Sequence, residues 1–536
     1  MRKSIVIFGL ILCAGFTAAA QGAGEALLFG ENTYYGTARS AGLGNAVTAL
    51  GGDLGSIGIN PAGSAVNSWS QFTITPALTI FSGTSRFNGA NPDHNTRGRL
   101  NMPNIGAVVT MDTHRTSGLK AVSFGFVSNT TDIYNSSIST SGRNNQNSYM
   151  GFLADYATRY QISAAALNDK NLSNLDYYTD WPAAIGYQTG VVNPATGVDG
   201  APYISPVQDN TTPGYPMRGD IDQEYSFKER GSKQDILINL GFNFSDRFMI
   251  GGNIGLLEFS YTRDVTLREV AVNPADFPCS VSNGDGTSSA ARFEDMRYSH
   301  QYCADGSGIY AKIGIIAIPF DGLRIGASVQ TRTAGQIREV RWYQGSSNFT
   351  DGSKSHSHGG DRSSEYEYKY DLSMPARYSF GLAYTIPGVG LLSADYELSD
   401  YGTSRYREHY YADDSAFNES NKQVSDYLGI AHYIRAGLEV KLASLALRAG
   451  YNLAISPLLS FTPFDGTIMG ASDKVYTNTF SGGIGYDSGS SFFMDFALRA
   501  RINPEKFQYL YPTADSPEIS TVSSLWNALV TFGFRF

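Results

Sequence analysis

Residues 236–256, ILINLGFNFSDRFMIGGNIGL, alternate apolar residues with small or polar ones on both sides of a short turn at residues 245–247. Asn239, Gly241 and Asn243 share one parity before the turn. The apolar residues share the other parity before the turn and resume alternation after it: Ile236, Ile238, Leu240, Phe242, Phe244, Phe248, Ile250, Ile254 and Leu256. Successive side chains of a β-strand point to opposite faces. The stretch therefore predicts a β-hairpin with one face suited to lipid and the other to water.

Similar alternation marks fourteen candidate strands along the chain. They lie near Phe72, Ile105, Val122, Ile238, Ile250, Ile313, Ile325, Tyr378, Leu392, Leu438, Leu447, Ile484, Phe496 and Phe532. The connections after the even-numbered strands are a few residues long, whereas those after the odd-numbered strands are longer. Bacterial outer-membrane barrels have even strand numbers, with short turns at one end and long loops at the other. The predicted fold is an all-β transmembrane outer-membrane β-barrel of 14 antiparallel strands.

The two ends of the chain agree with this fold. Arg2 and Lys3 precede an apolar run over residues 5–16, and small residues follow just before Gln21, so residues 1–20 predict a secretory signal peptide. At the other end Phe532, Phe534 and Phe536 alternate with small or polar residues. A terminal aromatic on an alternating last strand resembles the signal that the barrel-assembly machinery reads. We therefore expect a multi-pass β-barrel in the cell outer membrane of a Gram-negative bacterium.

Composition and charge exclude several other classes. No later stretch approaches about 18 uninterrupted apolar residues, which excludes a helical membrane protein. The formal net charge is −9, about −11 once Arg2 and Lys3 are removed, and the basic residues are scattered, which argues against a nucleic-acid partner. Cys279 and Cys303 lie in polar sequence, and in an oxidising compartment they predict one disulfide that staples a surface loop. Neither has a histidine or second cysteine at ligand spacing, so no metal and no cofactor is expected.

The segment before the first strand has a different character. Residues 21–69 do not alternate and are rich in glycine and alanine, which suggests short helical turns and tight bends. Such a segment can fill part of a fourteen-strand lumen as a hatch, or it can be a periplasmic tail. The barrel is then expected over residues 70–536, with long extracellular loops at residues 130–232, 264–308 and 334–365.

The residues of this segment and of two later strands resemble the FadL/TodX-type outer-membrane transporters of long-chain fatty acids and other hydrophobic compounds. Residues 38–44 (ARSAGLG) through 60–63 (NPAG) resemble the hatch of that family, including its Asn-Pro-Ala signature. Residues 374–384 (MPARYSFGLAY), 434–439 (IRAGLE) and 447–451 (LRAGY) are similar to family strands. The match is loose over residues 131–231 and 279–303, where this chain is longer.

The resemblance implies a lumen plugged by the hatch, with Gly42, Gly44, Asn60, Pro61 and Ala62 as hatch residues. It also implies passive uptake of a hydrophobic small molecule, such as a fatty acid, past the lipopolysaccharide and lipid of the outer membrane. Extracellular loops capture the solute, an apolar lumen pocket binds it, and hatch movement releases it sideways where the third strand kinks.

Two further places carry expectations about this route. Gly125 lies in the middle of the third strand, where a glycine often marks a bulge, and is a candidate for the lateral gate. Residues 149–167 predict an amphipathic helix in the longest loop. Its apolar side chains offer a receiving surface for the solute: Met150, Phe152, Leu153 and Tyr156. The alternative is that this face only packs on the barrel rim.

Rival functions have weaker support in the sequence. None of the seven histidines lies in a serine-hydrolase motif, so no enzyme is expected and no catalytic residue is assigned. His356 and His358 admit a haem-binding receptor, although histidines in such a polar loop are more often only solvated. A FadL-like barrel can also serve as a protein-secretion or surface-attachment partner. An apolar lumen pocket that reaches a gap beside Gly125 would favour transport, and a sealed lumen would count against it.

Overall fold

The protein is described here by a computed structural model covering residues 22–536, apart from the short intervals 170–179, 196–201, 210, 213, 283–287, 360–366, 411–414, 460–461, 465–466, 470–474 and 512–515. The predicted signal peptide, residues 1–20, lies outside the described residues. The side chains of His356 and His358 also lie outside them. Among the described residues, no helix is long and apolar enough to cross a membrane.

Fourteen antiparallel strands form one closed barrel, as the alternation predicts, and each contains one of the fourteen predicted positions. They are β1 (Gln71–Phe87), β2 (Asp93–Asp112), β3 (Leu119–Tyr134), β4 (Ile221–Phe244), β5 (Phe248–Ala271), β6 (Ser288–Ala317), β7 (Leu323–Gln330 continuing as Thr333–Phe349), β8 (Tyr368–Met374 continuing as Arg377–Ile386), β9 (Gly390–Asp400), β10 (Ile430–Leu442), β11 (Leu445–Ile455), β12 (Tyr476–Asp487), β13 (Phe492–Ile502) and β14 (Glu518–Arg535). The barrel closes because β14 pairs with β1, from Gln71 opposite Arg535 to Phe87 opposite Ile519.

The two faces of the wall follow the sequence alternation. Outward-facing apolar side chains are exposed in a band around the barrel; on β4 and β5 they include Ile238, Leu240, Ile254 and Leu256. Inward-facing neighbours such as Asn239, Asn243 and Asn253 are buried. Above Leu256 the outward face of β5 turns polar at Glu258 and Ser260, which marks the extracellular edge of the band.

Several strands continue far beyond this edge, so two of the predicted loops are largely strand. Residues 264–308 belong mostly to β5 and β6, and residues 334–349 belong to β7. The connection after the first strand, which was predicted to be long, is short. β1 and β2 extend until only residues 88–92 join them. The sequence prediction was wrong here because the outward face turns polar above the membrane while inward residues such as Phe259, Tyr261 and Leu267 are apolar, so the lipid-facing alternation ends while the backbone ladder continues.

The N-terminal segment lies inside the barrel rather than outside as a tail. It contains α1 (Ala23–Gly30), α2 (Ala38–Gly42) and two 3-10 helices, Leu54–Gly58 and Pro61–Val66. The described hatch is therefore residues 22–70, and most of its side chains are buried.

The longest connection, between β3 and β4, folds over the extracellular end of the barrel. The short strand Ser137–Asn144 pairs with β4, and three helices follow: α3 (Tyr149–Arg159), α4 (Ala164–Leu167) and α5 (Trp181–Gln188). Their apolar side chains pack with the tops of β5, β6 and β7 in one buried cluster, which we call the cap. On the opposite side of the rim, α6 (Asn418–Tyr427) follows β9 and packs on α1.

The predicted disulfide is absent. Cys279 and Cys303 do not form a disulfide bond. Cys279 lies opposite Ala291 in the pairing of Pro278–Ser282 with β6, and Cys303 lies further along the same strand. At about 3.3 Å per residue the two are about 40 Å apart, whereas a disulfide needs Cα atoms within about 7 Å. The extension of β6 through the predicted loop separates them.

Candidate functional site

The hatch touches the wall at places where a side chain on the wall would not fit. Gly44 adopts a left-handed backbone, with φ +64°, and a Cβ on Gly450 of β11 would lie 2.1 Å from the amide nitrogen of Gly44. Gly42 lies beside it, and its carbonyl oxygen accepts a hydrogen bond from the Ser481 hydroxyl at 3.3 Å. The contact is backbone on backbone, so glycine on both sides fixes how deeply α2 can sit.

The Asn-Pro-Ala turn is held in the same way against β6. Asn60 is fully buried, and its amide nitrogen donates to the carbonyl oxygens of Thr48 at 2.7 Å and Ile315 at 3.0 Å. Its side-chain oxygen caps the turn that begins at Pro61 by accepting from the Ala62 amide at 3.1 Å. A Cβ on Gly314 would lie 1.9 Å from that oxygen. Asn60 therefore joins two parts of the hatch to the barrel wall.

Polar side chains of the wall satisfy the carbonyl groups of the hatch. Lys312 Nζ donates to the Gly58 oxygen at 2.7 Å, and Asn239 donates to the Pro61 oxygen at 3.0 Å. Further donors reach other hatch carbonyls: Asn253 to Ile57, Ser328 to Ile59, Asn243 to Ala65, Arg324 to Leu50 and Arg499 to Tyr34. These contacts explain why inward-facing positions are polar although they are buried: the hatch backbone needs their donors.

Ion pairs reinforce the contact on the side of β8 to β13. Glu397 accepts from Arg377 at 3.2 Å and from Arg435 at 3.0 Å, and all three side chains are buried. Arg39 of the hatch pairs with Glu439 at 3.3 Å, which also pairs with Arg448 at 2.7 Å. One hatch charge is thus part of a network that otherwise belongs to the wall.

The upper part of the hatch lies in an aromatic layer. The Phe29 ring of α1 stacks on Phe259 with centroids 4.6 Å apart and meets the edge of Tyr261 at 6.1 Å. The Tyr261 ring also meets Tyr134, at the end of β3, at 4.9 Å, and the Tyr134 hydroxyl donates to the Leu28 oxygen at 3.3 Å. This apolar part of the lumen is therefore occupied by α1.

Two small cavities flank Asn32, between α1 and α2. Their volumes are about 10 and 20 Å³, room for about one water molecule each. The first is lined partly by Asp235, Gln330, Thr333 and Arg377, and the second partly by Glu31, Arg435, Arg499 and Arg501. Polar walls of this kind suit ordered water rather than an apolar solute. Neither is the apolar pocket that the resemblance implies, and by the criterion given above their polar walls count against transport in this conformation of the described residues.

The barrel wall is interrupted between β2 and β3. Their backbone pairing runs from Asp112 opposite Ala121 to Asn104 opposite Asn129, and it stops there. Beyond that point β2 pairs only with β1, while β3 and the strand Ser137–Asn144 pair with β4. We call this interval the seam; its sides are residues 93–103 of β2 and residues 130–141. On the β2 side the seam adjoins the exposed apolar residues Leu100 and Met102, and on the β4 side it begins at Asp235, which pairs with Leu257 at the edge of the band.

Side chains cross the seam in place of the missing backbone ladder. The Arg97 guanidinium donates to the Glu229 oxygen at 2.8 Å, and the Arg99 guanidinium donates to the Gly231 oxygen. Asn95 and Asn135 add two contacts, to the oxygens of Ser139 and Arg97. Behind the seam, the hatch amides of Thr33 and Tyr35 donate to the carbonyl oxygens of Thr131 and Thr130, at 2.6 and 3.2 Å.

The predicted gate residue lies below this interruption. Gly125 pairs regularly with Val108 on one side and with Asn239 on the other. No gap lies beside it in the described wall; the irregular pairing of β3 occurs at Leu119–Ala121 and at Thr130–Asp132. The seam coincides instead with a bulge of β2, where Met102 and Pro103 lie opposite the single residue Pro76 of β1, and neither proline has an amide hydrogen to donate. Both prolines are visible in the sequence and could have indicated where the pairing is interrupted.

The predicted receiving surface is mostly buried in the cap. Met150 and Leu153 are 0% and 3% exposed, and the backbone amides of Tyr149 and Met150 donate to the Glu269 carboxylate. Phe152 and Tyr156 are partly buried, and Phe152 stacks on Tyr511 at 5.7 Å. This arrangement corresponds to the alternative prediction, in which the helix packs on the barrel rim.

At the level of sequence, no protein-family model and no curated relative matches this chain. The fold does match solved structures. A FadL homologue from Pseudomonas aeruginosa is similar with a TM-score of 0.52 and 12% identity, over 95% of this chain and 100% of the homologue. The TodX deltaS2S3 mutant, a monoaromatic hydrocarbon channel, is similar with a TM-score of 0.50 and 13% identity, over 94% and 99%. The chain therefore has the hatch-plugged barrel fold of the FadL-type proteins.

Proposed function

We propose that this protein is an outer-membrane channel for the passive uptake of hydrophobic compounds such as long-chain fatty acids. Residues 1–20 direct its export, the solute enters from the extracellular side, the lumen binds it, and hatch movement releases it sideways into the membrane. The seam carries this proposal, because a channel that delivers an apolar solute into lipid needs an opening in the wall at membrane height. The FadL homologue and the hydrocarbon channel that share the fold support the same class of solute.

The aromatic layer around α1 is the best candidate for the binding pocket. It adjoins the seam through Tyr134, which ends β3 and packs on Tyr261. Removal of Phe29 from its stack on Phe259 would leave an apolar space of aromatic walls beside the seam. Apolar burial at roughly 25 cal/mol per Å² can hold a solute there without an energy source.

Because buried hatch residues fill the space inside the described wall, we infer that the hatch moves during transport. Most of the hydrogen bonds between hatch and wall run from wall side chains to hatch carbonyl oxygens. Water that enters the lumen can replace such bonds, each of which contributes only about 0.5–1.5 kcal/mol net. We therefore expect the hatch to shift as a unit while the barrel stays folded.

A reversible crosslink between hatch and wall tests this mechanism. The hydroxyl oxygens of Ser64 in the hatch and Ser123 in β3 are 2.9 Å apart and buried. In a background with Cys279→Ser and Cys303→Ser, the double variant Ser64→Cys/Ser123→Cys should form a disulfide under oxidising conditions. Fatty-acid uptake by cells should fall to the level of a deletion strain, and a reductant should restore it.

A second crosslink controls for the effect of a disulfide on the barrel itself. The Ser85 and Thr521 hydroxyls are 3.4 Å apart on β1 and β14 and do not touch the hatch. Ser85→Cys/Thr521→Cys should leave uptake unchanged when oxidised. Full uptake by the oxidised Ser64→Cys/Ser123→Cys variant would contradict a moving hatch.

A role as a protein-secretion or surface-attachment partner is the second candidate. The observation in its favour is how far the barrel extends above the apolar band. There β5 continues from Glu258 to Ala271, and β6 runs from Ser288 to Ser307. A panel of fatty acids and aromatic hydrocarbons, tested on a deletion strain, separates the two. Unchanged uptake of every compound would favour the partner role.

A further inference from the structure

Arg97 and Arg99 lie on β2 where its pairing with β3 has ended, and both side chains reach across the seam. Arg97 donates to the Glu229 oxygen at 2.8 Å and, more weakly, to the Ser136 oxygen at 3.4 Å. Arg99 donates to the Gly231 oxygen. All these acceptors are neutral backbone carbonyls. The two guanidinium groups therefore close the seam with neutral partners.

Among the described residues, neither Arg97 nor Arg99 pairs with a carboxylate. By contrast, the nearby Arg230 pairs with Asp264 at 2.6 Å. Both are partly buried. A guanidinium bonds more strongly to a carboxylate than to a carbonyl, because the hydrogen bonds are charge-assisted and the planar fork matches two carboxylate oxygens. Each carbonyl contact can therefore be exchanged for a stronger anionic one.

The outer face of the same strand is apolar beside these charges. Leu100 is 81% exposed and Met102 is 40% exposed, and both point toward the lipid. On the other side of the seam, the Thr130 hydroxyl reaches the Met102 oxygen at 3.3 Å. Positive charge thus lies within the seam, with an apolar surface directly outside it. An anionic head group on an apolar chain matches this pair of surfaces.

We propose that Arg97 and Arg99 determine specificity at the seam: they latch it when it is empty, and they receive the carboxylate of an anionic amphiphile when such a solute leaves the lumen. This inference rests on the proposed channel function. The carboxylate replaces the carbonyls of Glu229 and Gly231 as acceptor, and the apolar chain passes along Leu100 into the membrane. A neutral hydrocarbon cannot make this exchange. The channel therefore prefers acids to neutral compounds of equal length.

The test compares dodecanoate with its methyl ester in vesicles of phosphatidylethanolamine that contain the purified protein. The double variant Arg97→Gln/Arg99→Gln keeps polar side chains but loses both charges. We expect the ratio of acid uptake to ester uptake to fall about tenfold or more, the size of one lost charge-assisted hydrogen bond. Ester uptake should stay the same or rise, because the latch is weaker.

Two matched variants separate charge from structure. Arg86→Gln removes an exposed arginine from the outer face of β1, away from the seam, and should keep the wild-type ratio. Arg97→Lys/Arg99→Lys keeps the charge without the planar fork and should retain part of the preference. Heat-modifiable mobility in electrophoresis reports that each barrel is folded. An unchanged ratio in the double glutamine variant, or equal loss of both uptakes, would overturn the proposal.

Lipid phosphate is the other anion that can reach these arginines. The vesicles contain no lipopolysaccharide, so a preference that appears only when lipopolysaccharide is added would assign the site to a lipid phosphate and overturn the carboxylate role. If the wild type purifies with bound lipopolysaccharide and the double glutamine variant does not, the site would likewise be assigned to a lipid phosphate. Failure of the wild type to take up either compound would instead contradict the channel function itself, so the two failures are distinguishable.

Discussion

Single residues set how closely the hatch can approach the wall. At Gly44 and Gly450 two backbones meet, and at Asn60 one amide bonds to the hatch and to β6 at once. Backbone atoms cannot turn away as a side chain can. A change at one of these positions should therefore act on hatch seating rather than on barrel pairing.

Gly450→Val tests this at the residue scale. Its Cβ would lie 2.1 Å from the Gly44 nitrogen, which cannot move without the hatch. We expect a folded barrel with a displaced hatch, seen as several-fold higher ion conductance in planar bilayers. Gly482→Val is the matched control, because a Cβ there meets only the Arg448 oxygen at 3.8 Å on the outer face. Equal conductance of the two variants would argue against the glycine contact.

Among the elements, β2 joins two different environments. Its lower part pairs with β3 over residues 104–112 and also with β1 over residues 104–108, whereas its upper part pairs with β1 alone. Pro103 stands at the boundary, within a bulge of β2 that faces Pro76 of β1. A proline cannot donate to a backbone ladder, so the change from two-sided to one-sided pairing is built into the strand.

Hydrogen exchange should resolve this boundary. Amides of the upper part that face the seam lack a backbone acceptor, so we expect residues 93–102 to exchange faster on average than residues 104–112, by on the order of tenfold or more. Exchange measured on purified protein in detergent, with peptides on each side of Pro103, checks it. Uniform protection along β2 would mean that the seam is closed by a full ladder.

For the molecule as a whole, the exposed apolar band and the closed barrel predict an outer-membrane protein. We expect it to fractionate with outer membranes and to migrate faster in electrophoresis when unheated than when boiled. The N-terminal sequence of the mature protein should begin at Gln21. Recovery as a soluble periplasmic species would contradict the membrane assignment, whatever its solute.

The amino-acid sequence determined the strand number, the two faces of the wall and the presence of a non-alternating segment before β1. These features are local, because alternation along a strand reports which face meets lipid and which meets the interior. The same signal failed above the membrane, where the outward face is polar and the apolar residues face the hatch and the cap. There the sequence predicted loops at residues 264–308 and 334–365, and strands were found over most of the described residues of both.

Only the tertiary structure decided what lies inside the barrel and where its wall opens. Gly125 was the residue that the sequence offered for a gate, yet its pairing is regular. The seam depends on which strand edges lack partners, and Arg97 and Arg99 matter because the fold places carbonyls of β4 across from them. The disulfide predicted between Cys279 and Cys303 failed for the same reason, because the fold places the two residues far apart. Such features are set by contacts between residues far apart in the chain, which local alternation does not encode.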